Sequence, residues 1–107
     1  MILSTTDVIQ GRIVQSYLGI VTAEVVYGSN FIRDFFAGIR DIIGGRTGSY
    51  ERLFSEGHQK ALAELEQRAR RLGADAVVGI EIDTGTINVD KSGVLILITA
   101  SGTAVNL

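Results

Sequence analysis

Apolar positions recur along the chain with two different periods, and the switches between them mark out its elements. From Gly11 to Tyr27 the run GRIVQSYLGIVTAEVVY is rich in β-branched and aromatic residues. It predicts one long bent strand, or two collinear ones, with Gly19 at a bulge or bend. Val21, Ala23, Val25 and Tyr27 share one face of that strand, and Thr22 and Glu24 point the other way. From Phe31 the period lengthens. At 100° per residue, Phe31, Ile32, Phe35, Phe36, Ile39, Ile42 and Ile43 fall in one arc of about 140°, opposite Arg33, Asp34, Arg40 and Asp41. This predicts an amphipathic helix over residues 31–43, capped at its start by Asn30 and ended by Gly44 and Gly45.

A longer helix is predicted over residues 50–72, with Ser49 as its cap and Gly73 as its stop. Its apolar arc is Tyr50, Leu53, Phe54, Ala61, Leu62, Leu65, Ala69 and Leu72, and Glu56–Lys60, Glu64–Arg68 and Glu66–Arg70 are favourable i, i+4 pairs. Period two returns over residues 76–87, with Val78, Ile80 and Ile82 on one face and Glu81 and Asp83 on the other. After a turn from Asn88 to Gly93, residues 94–98 (VLILI) are apolar on both faces. Such a strand is central and covered on each side, or covered by a neighbouring subunit. Ser101-Gly102 punctuates, residues 103–106 predict an edge strand, and residues 1–5 a short strand. The order strand, short helix, long helix, strand, strand predicts one α+β domain over residues 1–107: an antiparallel sheet of about three main strands with helices on one face.

Composition adds a tension to this picture. The chain has 107 residues, of which 46% are hydrophobic. A domain of this size buries only about two-thirds of its unfolded surface. The surplus apolar surface predicts self-association. A net charge of −2 gives no basic balance for nucleic acid or an anionic membrane. The absence of cysteine removes disulfides and thiolate metal sites. Met1-Ile2-Leu3 leads straight into polar Ser4-Thr5-Thr6-Asp7, unlike a signal peptide, and no apolar run approaches a membrane span, so a cytoplasmic location is expected.

Candidate chemistry is sparse. Residues 31–37 and 38–44 form an imperfect seven-residue repeat, FIRDFFA and GIRDIIG. Its Arg-Asp units either form a solvated face or meet the same residues of other subunits around a symmetry axis. The glycine-rich exit GGRTGSYE lacks the Lys-Ser or Lys-Thr of a nucleotide loop, so turn and cap chemistry explains it. His58, the only histidine, lies in the apolar arc of the long helix and reads as a packed or interface residue rather than a catalytic one. Glu81 and Asp83 are the best carboxylate pair on a strand, and with His58 they are the weak candidates for a metal.

Three blocks, RDFFAGIRDIIGGRTGSYE, LGADAVVGIEID and ITASGTAV, resemble in order the YbjQ-like family of small bacterial and archaeal proteins. The likeness runs from STTD at the start to SGTAV at the end. It implies a dodecin-like α+β subunit in a closed homo-oligomeric ring, a pentamer, with no established activity. The family carries a heavy-metal-binding label, for which this chain offers no cysteine, one histidine and no ligand cluster with metal spacing. Three functions follow as expectations. The first is a non-enzymatic ring that binds a small ligand or partner, with Arg33, Asp34, Arg40, Asp41, Gly44, Gly45, Arg46 and Tyr50 near the assembly axis. The second is metal binding through carboxylates or His58 at subunit junctions. The third is a small enzyme whose site is shared between subunits and built from Asp34, Asp41, Arg46 and Tyr50.

Overall fold

The computed structural model describes the backbone of residues 1–43, 46–89 and 93–107, and the side chains of all these except 36, 38–43, 46–49 and 89. In chain order the elements are β1 (Ile2–Leu3), β2 (Ser16–Tyr27), α1 (Ser29–Ile43), α2 (Arg46–Arg71), β3 (Ala76–Val89) and β4 (Gly93–Asn106). They form one four-stranded sheet in the order β1-β3-β4-β2. The three long strands are antiparallel neighbours, but β1 lies parallel to β3, so the sheet is mixed rather than wholly antiparallel.

β2 alternates as its sequence dictates. Val21, Ala23 and Tyr27 are buried, while Thr22 and Glu24 are exposed. Its register slips between Tyr17 and Gly19, and Gly19 has a φ of 129°, so the expected bulge is present. Gly11 to Gln15 do not join the strand; Ile9 and Arg12 form an isolated bridge instead.

α2 lies along one face of β2, β4 and β3. Leu53, Ala61, Leu65 and Ala69 pack onto Val21, Ala23, Tyr27, Ile96, Ile98 and Ala100. The helix can come this close because Gly57 has no Cβ: one placed there would collide with Ile98 Cδ1 and lie 3.2 Å from Tyr27 Cε2. At the far end of the sheet's other face, Ala76, Val78 and Val105 form a second small core under Ile9, Val14 and Leu107.

Several local expectations shift. α1 begins at Ser29, so Asn30 is inside the helix and Gly28 precedes it; the Gly28 carbonyl accepts from the Ile32 amide. α2 begins at Arg46, which takes Ser49 into the helix rather than leaving it as the cap. β3 runs on to Val89, and β4 continues unbroken through Ser101 and Gly102 to Asn106, so residues 103–106 are the end of a central strand. Val78 and Ile80 lie on opposite faces, because the β3 register slips between Val78 and Glu81 around Gly79, whose φ is 63°. The slip is held from outside: the Gly79 amide donates to Thr6 and the Ile80 amide to Ser4.

Candidate functional site

Tyr27 closes β2 on the helix-covered face, and two turns of α1 follow it at once. Spacing of four along the chain stacks the rings: Tyr27 on Phe31 at 4.8 Å between centroids, and Phe31 on Phe35 at 6.3 Å. Lys60 of α2 places its Nζ 5.5 Å from the Tyr27 centroid, in cation–π range. The Tyr27 hydroxyl is buried and has no hydrogen-bond partner among the described residues. An orphaned buried hydroxyl costs about 1–3 kcal/mol.

His58 is half-buried, and its Nε2 meets Thr84 Oγ1 at 2.9 Å. Thr84 pairs with Ile98, a residue of the helix-side core. Strand alternation therefore puts Glu81 and Asp83 on the opposite face of the sheet. Asp83 pairs with Thr99, and Thr99 pairs with Glu24, so those three form one row across the open face. The three weak metal candidates are thus split by the sheet, with His58 on one side and both carboxylates on the other. Among the described residues no group of three His, Cys, Asp or Glu could hold a metal ion.

The first Arg-Asp unit of the repeat faces solvent. Arg33 Nε lies 3.7 Å from Asp34 Oδ1, with side chains 74% and 76% exposed. Tyr50 stacks on Phe54 at 6.1 Å. The side chains of Arg40, Asp41 and Arg46, and Gly44 and Gly45 altogether, lie outside the described residues, as do the side chains of Phe36, Ile39, Ile42 and Ile43.

Two features escape a reading by sequence pattern. On the open face of β2, Tyr17, Ile20 and Val26 are 73%, 80% and 58% exposed. Beside Val26, Leu95 and Leu97 are only half-buried. Arg68 of α2 reaches the edge of β2, where its Nη1 donates to the carbonyl of Thr22 and lies 3.5 Å from Glu24 Oε2, while its Nε lies 3.1 Å from Glu64 Oε1. The Glu64–Arg68 spacing is visible in the sequence; the cross-element contact to Thr22 carries no sequence signal.

A family model described as "Putative heavy-metal-binding" matches residues 1–107. The chain is 78% identical over 107 residues to a UPF0145 protein of Nostoc punctiforme, covering 100% of this chain and 99% of that one. It is 64% identical over 107 residues to a UPF0145 protein of Synechocystis sp., with the same coverage of 100% and 99%. A crystal structure of a protein with unknown function from Pediococcus pentosaceus, belonging to the DUF74 family, has a TM-score of 0.62 at 16% identity, covering 100% of this chain and 97% of that one. At that identity the likeness is one of fold alone.

Proposed function

The chain belongs to the YbjQ-like family described as heavy-metal-binding, and on that premise we propose that it is a non-enzymatic protein that closes with copies of itself into a ring, a pentamer by resemblance, and takes a small ligand or partner at the subunit junctions. The observation that carries this reading is the uncovered sheet face. Ile20 and Tyr17 are 80% and 73% exposed on a strand whose other face buries Val21, Ala23 and Tyr27. Large apolar side chains left in solvent on an otherwise polar face mark an interaction site. The shape agrees: the radius of gyration is 16.8 Å, against about 13 Å for a compact domain of this length. The Tyr27 hydroxyl, buried and without a partner among the described residues, is a second, smaller deficit that a ligand or neighbouring copy could fill. Native mass spectrometry in dilute solution tests the reading. An assembly at low micromolar concentration is expected; a stable monomer there ends it.

Metal binding is the second reading, and the family description favours it. The described residues of one chain do not fit a metal site, since the sheet separates His58 from Glu81 and Asp83. A site using His58 together with Glu81 or Asp83 would have to join residues of different copies. Elemental analysis of chelator-treated protein reloaded with divalent metals, compared with His58→Ala and Asp34→Ala, decides it. Stoichiometric metal lost in one variant supports a junction site; substoichiometric metal in all three opposes it.

A further inference from the structure

Among the described residues, the N-terminal segment closes the lower part of the β3 edge and leaves its upper part open, and on the β2 edge a side chain occupies a single outward group. On β3 the N-terminal segment covers the edge as far as Ile80: Ile2 and Leu3 pair with Ala76 and Val77, the Ser4 amide donates to Val77, and the Gly79 and Ile80 amides donate to Thr6 and Ser4. Above Ile80 every residue from Glu81 to Asn88 is exposed. On β2, Arg68 takes the outward carbonyl of Thr22. The Arg68 contact and the end of the covered β3 segment are level. Thr22 pairs with Ser101, and Ser101 pairs with Glu81, so the β2 edge beyond the Arg68 contact and the open part of β3 flank the same rows of β4 and run the same way.

We infer that these two open stretches bind each other: the β2 edge from Glu24 to Tyr27 pairs with Glu81–Val89 of a second copy, extending the sheet from one copy to the next. The inference rests on the self-association proposed above and names the surface that carries it. β2 and β3 are both antiparallel to β4, so they run in the same direction, and a head-to-tail continuation pairs them in parallel. The outward groups are available. The Thr22 carbonyl points away from β4, so alternation turns the N–H and C=O of Glu24 and Val26 outward too. A two-fold pairing of β2 with β2 would satisfy one edge and strand the other, whereas the heterologous pairing satisfies both. Unpaired edges of this kind are templates for strand addition. Four-residue pairing buries roughly 500 Å², below the ~1,200 Å² of a stable two-partner complex, so ring closure, in which each copy uses both edges, is what makes it persist. Apolar side chains flank both edges, with Val26 on one and Ile82 and Ile87, 37% and 48% exposed, on the other.

The chain has no cysteine, so single-cysteine variants report cleanly. Val26→Cys and Ile87→Cys chains are co-expressed with distinguishable tags and treated with a bismaleimide of about 10 Å reach, which tolerates a two-residue slip. Ala63→Cys on the exposed side of α2 is the control. The expected product joins Val26→Cys to Ile87→Cys, at least tenfold over either homodimer and over any Ala63→Cys product. In parallel, Val26→Pro removes an outward amide without touching the β2–β4 ladder. Its expected mass is that of the 11.5 kDa chain with unchanged circular dichroism. A persistent assembly in Val26→Pro, or cross-linking dominated by homodimers, overturns the edge pairing while leaving self-association standing. A wild-type chain that is monomeric throughout overturns both.

Discussion

Gly57→Ala tests how the helix meets the sheet. In an exposed helix, replacing Gly by Ala stabilises by about 1 kcal/mol. Here the new Cβ would collide with Ile98 Cδ1 and crowd Tyr27 Cε2 at 3.2 Å. Ile98 is fully buried, so it has no free space to swing into. Overpacking of this kind costs about 1–3 kcal/mol, and so severe an overlap belongs at the upper end. Subtracting the helix term leaves a loss of about 2 kcal/mol. The unfolding entropy of a chain this long makes that roughly 9 °C in Tm. Ile98→Val removes the colliding Cδ1 and by itself costs about 0.5–1.5 kcal/mol. The measurement is a double-mutant cycle by thermal and urea unfolding at fixed protein concentration, with Ala63→Gly as the in-place measure of helix propensity. The two changes should couple by at least 1 kcal/mol in the favourable sense. Strict additivity, or a Gly57→Ala protein more stable than the parent, would refute the close-approach argument.

Other outcomes follow from single contacts. Tyr27→Phe removes a buried hydroxyl without a partner among the described residues, so dilute protein should gain about 1 kcal/mol; a loss in urea midpoint would mean that the hydroxyl is satisfied in solution. Arg68→Met gives up the Thr22 carbonyl and two half-exposed ion pairs, and after solvent screening a loss of about 1–2 kcal/mol in urea unfolding is expected. Gly102→Ala would set a Cβ 2.6 Å from Val77 Cγ1 and 3.2 Å from the Val78 carbonyl, so a loss of about 1–3 kcal/mol is expected, and an unchanged Tm would show that the β3 bulge yields.

Much of the fold is legible because burial on one face imposes a period. The alternation of Val21, Ala23, Val25 and Tyr27 against Thr22 and Glu24, the bulge at Gly19 and the order of the elements all follow from that rule. It fails where a backbone irregularity is set by distant contacts. Gly79 looks like any strand glycine, yet its left-handed φ, held by Thr6 and Ser4, moves Ile80 to the face opposite Val78. The candidate site suffers from the same slip. His58, Glu81 and Asp83 look like one loose set in sequence, but the sheet lies between them. Arg68 was readable only as half of an i, i+4 pair, because its use at the edge of β2 depends on where α2 lies across the strands. The helices start two and four residues ahead of where the cap-like Asn30 and Ser49 point, since such polar side chains are also tolerated within the first turn.

The pairing of Ala76 with Ile2 on one side and Val105 on the other brings the two ends of the polypeptide to the same corner of the sheet. Two strand spacings separate them, roughly 10 Å. A short glycine–serine bridge could span that gap, and a circularly permuted gene opened at the exposed Gly73 turn should yield the same topology from rearranged codons.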